Sequence, residues 1–229
     1  MIQQEIKTKP WQRIVAIVVV VVMLISTFGI YIGLALGNND PTDETGLSAE
    51  DQQRYSELMA EYQAQSAVQA QELSDKHFSD FLAFKSEVRA FNAVEANAAD
   101  VSYRDLRIGD GEEVTEDFAD YSAYYIGWLS DETIFDSSFD NAENPTSLSS
   151  PLPGGNMIEG WNIGIIGMRI GGVREITIPS ELAYKDEERG SIPANSPLKF
   201  IVMLIPPVAE IEPSDELLEL YYRMSGYVE

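Results

Sequence analysis

The hydrophobic pattern of the chain changes character three times. From Ile14 to Gly37 no side chain is charged, and Ile14 to Ile25 is unbroken apolar sequence. At helical rise this stretch reaches about 36 Å, enough to cross the hydrocarbon core of a bilayer with some tilt. It predicts an uncleaved transmembrane anchor over 14–37. A cleaved signal peptide is the alternative, with Leu34-Ala35-Leu36-Gly37 as its cleavage site, although the apolar part of such a peptide usually runs only about 7–15 residues. Lys7, Lys9 and Arg13 precede the span, and Asp40, Asp43 and Glu44 follow it. The positive-inside rule then places residues 1–13 in the cytoplasm and everything after Gly37 outside.

Beyond a polar linker at 38–47 the period becomes helical. Ser48 with Asp51 three residues on resembles an N-cap. From there to Ala98 the sequence lacks Gly and Pro. Tyr55, Leu58, Met59, Tyr62, Val68, Phe78, Phe81, Leu82, Phe84, Val88 and Phe91 recur at helical spacings. The segment 48–99 is expected to be a stalk of one or two amphipathic helices, with a bend or second start near Gln63 to Gln71, where the stripe is interrupted. Such a stalk either packs on the next domain or pairs with a second copy. Its apolar residues also suggest a groove for unfolded clients.

From Val101 the pattern shortens into strand-like runs at Tyr121–Trp128, Val173–Ile178 and Leu198–Ile205, separated by turn signals. Asn156 to Met168 reads as the one short helix, with Trp161, Ile165 and Met168 on its apolar side. Strands curled around one short helix define an α+β fold over 101–208. A tail at 209–229 holds an acidic helix that Ser214 can cap.

Composition narrows the function. Apolar residues make up 45% of the chain and the formal charge is −23, so a packed core is expected and nucleic acid is not an expected partner. There is no cysteine and one histidine, His77. No thiol chemistry is available, and no metal or cofactor is called for. Gly-Asp-Gly at 109–111 and Gly-Ile-Ile-Gly at 164–167 lack the spacing and the Lys of a phosphate loop.

Four fragments, in order, carry a resemblance. They are "RIGDGEE", "AYYIGWLSDETIFDSS", "MIEGWNIGIIGMRIGGVREITIPSELAY" and "SIPANSPLKFIVML". Together the segment 101–208 resembles the FKBP-type peptidyl-prolyl cis/trans isomerases. The resemblance implies a half-open antiparallel sheet curled over one short helix, with an aromatic pocket between them. Trp161 would form the pocket floor, and Tyr125, Phe135, Met157, Ile158, Ile192 and Phe200 its walls. Asp136 and Tyr184 match the family's pocket aspartate and ligand-binding tyrosine, and the Ile158 N–H is a second expected donor. The chain departs from the family at Thr146 and Leu148, where a further pocket aromatic is common, and in the acidic loop "KDEERGS" after Tyr184.

Taken singly, these residues have plainer readings. Trp161, Ile192 and Phe200 suit an ordinary core, and Asp136 before two serines suits a turn. Tyr125 stands beside Tyr124, and either ring can face inward. Joined to the anchor expected at 14–37, the resemblance implies a membrane-anchored foldase acting on proline-containing, unfolded or extended polypeptides outside the cytoplasm, without a cofactor. The alternatives are a non-catalytic peptide-binding or assembly module of the same fold, and a structural envelope protein whose pocket is filled by its own side chains.

Overall fold

The computed structural model describes residues 47–116, 120–155 and 157–225. The expected anchor at 14–37, and all but Leu47 of the linker, lie outside these residues. Among the described residues no helix is long and apolar enough to cross a membrane. Residues 54–217 form one compact unit, and 47–53 with 218–225 belong to another. In the latter, the Asp51 N–H donates to Ser48 Oγ (3.1 Å) and Asp51 pairs with Arg223 (2.7 Å).

Helix α1 spans Ala49–Leu82 without interruption and continues into a 3-10 turn at Ala83–Glu87. The break expected near Gln63 to Gln71 is absent. Loss of the apolar stripe there changes what the helix touches, but a run of Ala and Gln without Gly or Pro still favours helix. The chain is then extended to α2, Ala93–Asn97, which Asn92 caps by accepting from the Val94 and Glu95 N–H groups.

Six strands follow among the described residues: β1 Ser102–Arg107, β2 Ser122–Trp128, β3 Ile134–Ser137, β4 Leu152–Pro153, β5 Val173–Ile178 and β6 Leu198–Ile205. All pairings are antiparallel, in the order β1-β5-β6-β2-β3, with β4 beside the start of β2. Helix α3, Glu159–Ile165, lies on one face, and α4, Asp215–Met224, closes the described chain. Ser214 Oγ accepts from the Leu217 N–H (3.2 Å) at the start of α4.

The central strands β2, β5 and β6 are buried on both faces, whereas the edge strand β1 is largely exposed. On the inner face Ala123 and Tyr125 of β2, Ile176 and Ile178 of β5, and Leu198, Phe200, Val202 and Leu204 of β6 pack with Trp161 and Ile165 of α3. On the outer face Tyr124, Ile126, Trp128, Val173, Ile201, Met203 and Ile205 pack around Phe81 of α1, which is 0% exposed. The Phe81 ring stacks on Phe139 at 5.4 Å. This two-sided burial explains why β6 is a continuous apolar run from Phe200 to Ile205 rather than an alternating one. Burial raises the Tyr124 phenol to about 12, and its hydroxyl has no hydrogen-bond partner among the described residues.

The groove expected on the helical segment is therefore not left open. Leu58, Met59 and Phe81 are buried, and Leu73, Phe78, Leu82, Phe84, Val88 and Phe91 lie against the outer core. Val68 is the large apolar side chain of α1 that remains exposed.

Close approach of α3 to the sheet depends on two glycines one helical turn apart. A Cβ at Gly160 would overlap Ile178, and one at Gly164 would overlap Ile176. The far end of α3 is held by Arg174, whose guanidinium donates to the carbonyls of Gly164 (2.9 Å) and Ile166 (3.0 Å) and pairs with Asp105 (2.6 Å). Tyr103 covers the same guanidinium at 3.8 Å. A buried cation is tolerated only when paired and hydrogen-bonded in this way.

Because Phe81 is the fully buried knob of the outer core, Phe81→Ala should lower unfolding stability by about 3–5 kcal/mol, as large-to-small core changes do. Urea unfolding of the full chain measures it. A loss under about 1 kcal/mol would show that the helix is not part of the folded unit.

Candidate active site

The strand alternation decides between the adjacent tyrosines of β2. Tyr124 faces the outer core and Tyr125 the inner one. Four aromatic rings converge on the inner face near the end of β2. Trp161 meets Phe200 edge-on (5.2 Å between centroids) and Tyr125 edge-on (5.9 Å), and Phe135 meets Phe200 edge-on (5.6 Å). Edge-to-face contacts of this kind are the preferred aromatic geometry. Trp161 and Phe200 are buried, whereas Tyr125 and Phe135 are half-exposed, so the cluster reaches the surface on that side.

The rings can close over β2 because residue 127 is glycine. A Cβ there would lie 2.7 Å from the Phe135 ring and 2.8 Å from that of Phe200. Gly127 is not among the residues expected from the sequence, although a glycine inside a strand pattern is itself a sign of close approach. Nor is Tyr121, whose hydroxyl accepts from Trp161 Nε1–H (3.3 Å) and so fixes the indole from behind. Ser138 Oγ accepts from the Tyr125 N–H (2.9 Å) where β3 ends.

Asp136 lies on β3 opposite Gly127. Its Oδ2 accepts from the Tyr125 hydroxyl at 2.6 Å, and its Oδ1 from the Ser137 N–H at 2.8 Å. The carboxylate is thus tied to the rim of the aromatic cluster. The Tyr125 phenol is pushed well above its ordinary range, first by burial and then by the hydrogen bond to Asp136 and the charge it carries.

The remaining predicted residues border the same inner core. Ile192 is buried in it, and Met157, Ile158 and Tyr184 are half-buried against it. Ile158 is the N-cap residue of α3, and its N–H has no acceptor among the described residues. Tyr184 lies just after a 3-10 turn at Ser180–Leu182, with the Arg189 guanidinium 5.9 Å from its ring centre. Thr146 and Leu148 lie elsewhere. Thr146 Oγ1 donates to Asp140 at 2.5 Å, and Leu148 is buried in the outer core.

Comparison with known proteins gives the family. A model of the family described as FKBP-type peptidyl-prolyl cis-trans isomerase matches residues 111–205. FK506-binding protein 2 of Debaryomyces hansenii is 42% identical over 96 residues, 42% of this chain and 68% of that protein. The FK506-binding protein of Neisseria meningitidis serogroup B is 39% identical over 102 residues, 44% of this chain and 90% of that protein. FK506-binding protein 4 of Chaetomium thermophilum is 37% identical over 105 residues, 46% of this chain but only 21% of that protein. The chain belongs to the FKBP-type peptidyl-prolyl cis-trans isomerase family. Its activity class is the isomerisation of peptidyl-prolyl bonds.

The Tyr125 shift has a consequence at high pH. A phenol whose folded value is raised above the unfolded value of about 10 contributes stability that is complete below pH 10 and is lost as pH rises toward the folded value. Urea midpoints of the native protein should therefore fall from about pH 10 upward. Tyr125→Phe should fall less steeply, the residual slope coming from buried groups such as Tyr124. Parallel curves for the two proteins would show that the Tyr125 phenol is neither buried nor held by Asp136 in solution.

Proposed function

We propose that the half-exposed aromatic cluster of the inner face is where the prolyl bond is turned, and that the substrates are exported or surface polypeptides reached from a membrane anchor at 14–37. The convergence of Tyr125, Phe135, Trp161 and Phe200 carries the first part. Peptide rotation meets a barrier of about 18–20 kcal/mol because the C–N bond is partly double. X-Pro bonds have nearly balanced cis and trans forms but exchange only over tens to hundreds of seconds. No covalent bond need break, so the catalyst has only to favour the twisted amide over the planar one.

The twisted amide has lost resonance, and its carbonyl is less polar. Apolar walls therefore disfavour the planar form relative to the transition state. In this reading Trp161 underlies the prolyl ring, and Tyr125, Phe135, Met157, Ile192 and Phe200 surround it. The Tyr184 hydroxyl and the Ile158 N–H donate to the substrate carbonyl next to it. Asp136 orients Tyr125 and places a negative charge at the rim.

Two variants separate site from core. Tyr184→Phe removes one hydroxyl and should reduce kcat/KM on a short X-Pro peptide several-fold, about the net value of one hydrogen bond, roughly 0.5–1.5 kcal/mol. Trp161→Leu keeps apolar volume but removes the flat surface, and should also lower turnover in protein that still unfolds cooperatively. If both keep full activity while Trp161→Leu melts earlier, both residues are structural and the reaction lies elsewhere. A folded native protein without activity would support the peptide-binding alternative.

Membrane attachment rests on the uncharged span at 14–37 and on Lys7, Lys9 and Arg13 before it. Protease added to intact cells should digest the isomerase domain. Digestion only after lysis would reverse the orientation, and a mature N-terminus near Gly37 would identify a cleaved signal instead.

A further inference from the structure

The segment between α1 and β1 does more than join them. Residues 88–97 cross the end of the sheet formed by the β2–β3 turn and the β5–β6 connection. The Trp128 Nε1–H donates to the Arg89 carbonyl (2.9 Å), the Ala90 N–H to Glu132 Oε1 (3.1 Å) and the Phe91 N–H to the Ser130 carbonyl (3.1 Å). Lys199 Nζ lies 5.4 Å from the Phe91 ring centre. The segment therefore grips the β2–β3 turn first and reaches the other connection through α2.

The last residue of α2 makes that second contact. Asn97 Oδ1 accepts from the Ser180 N–H (2.8 Å), and its Nδ2 donates to the Asn195 carbonyl (3.1 Å). These are the two ends of the connection that carries Tyr184 and Ile192. The connection is also tied to itself, with the Lys185 N–H on the Ser180 carbonyl (2.9 Å) and the Asn195 N–H on the Lys185 carbonyl (2.7 Å). Lys185 and Asn195 both hold left-handed backbone, at φ 57° and 60°, a conformation uncommon outside glycine that persists only where surrounding contacts hold it. A side-chain amide is the group suited to the bridge, because it offers an acceptor and a donor together.

We infer that Asn97, outside the 111–205 segment matched by the family, is a positioning residue for the isomerase reaction. It clamps the 180–195 connection and so sets where Tyr184 stands against the aromatic cluster. The inference rests on the proposed role of Tyr184, and the experiment separates the two.

Asn97→Ala, Asn97→Asp, Tyr184→Phe and the double variant Asn97→Ala/Tyr184→Phe are made in the full chain. Each is read by kcat/KM on a short X-Pro peptide, by melting temperature and by hydrogen exchange at the Ser180 amide. Asn97→Ala should lose roughly three- to tenfold in kcat/KM, the scale of one net hydrogen bond, and speed Ser180 exchange, with little change in melting temperature. Asn97→Asp retains an acceptor, so it should keep Ser180 protected and recover part of the activity. The loss caused by Asn97→Ala should shrink in the Tyr184→Phe background, because coupled residues are not additive. Unchanged kcat/KM in Asn97→Ala overturns the inference, as does an equal fold-loss in both backgrounds when Tyr184→Phe is itself impaired. A kinetically silent Tyr184→Phe counts against the proposed site and overturns the positioning role of Asn97 with it, whereas an impaired Tyr184→Phe beside a silent Asn97→Ala overturns the inference alone.

Discussion

The pairing of β2 with β6 sets the register on which both cores depend. Tyr125 lies opposite Val202, and Gly127 opposite Phe200. Because side chains alternate along a strand, this register sends Tyr125 and Phe200 toward α3 and sends Tyr124, Ile126, Ile201 and Met203 toward α1. A slip of one residue would turn one strand over, sending either Tyr125 or Phe200 away from α3 and toward the long helix. The long shared ladder of this pair and the packing on both faces make such a slip costly.

The outer core gives the N-terminal helix a structural purpose. The family match begins at residue 111, yet the compact unit begins at Arg54. Without α1, the side of the sheet lined by Trp128, Met203 and Ile205 would face water. At about 25 cal/mol for each Å² of apolar surface, a sheet face of that kind is a large exposed liability. From Arg54 onward, α1 and the segment that follows it therefore belong to the folded unit, and the isomerase core is not simply an independent bead on a stalk.

On the inner face the same economy of space governs the site. Gly127 lets two rings approach the strand, while Gly160 and Gly164 let α3 sink onto β5. Trp161 is held from behind by Tyr121, and Arg174 anchors the opposite end of its helix. The proposed mechanism needs only a dry, shaped surface and one or two donors, so it would depend on such rigid support more than on any reactive group.

Much of this was legible in the chain itself. The strand runs Val173–Ile178 and Leu198–Ile205 have the bounds seen in β5 and β6, since strongly periodic or wholly apolar segments leave little choice of element. Ordered fragments resembling one family marked Trp161, Phe135, Asp136 and Tyr184 as candidates. Which tyrosine of the Tyr124–Tyr125 pair turns inward depended on register with β6, which is non-local. That α1 runs unbroken through Gln63 to Gln71, and that Leu148 joins the outer core instead of the site, depended on which surface each segment meets. Asn97 gave no sign in sequence, because its partners at Ser180 and Asn195 lie some eighty to a hundred residues away. Local periodicity and propensity thus determined the elements, while only the tertiary structure decided which face, neighbour and hydrogen-bond partner each residue received. Those choices are made by contacts between parts of the chain that no local pattern encodes.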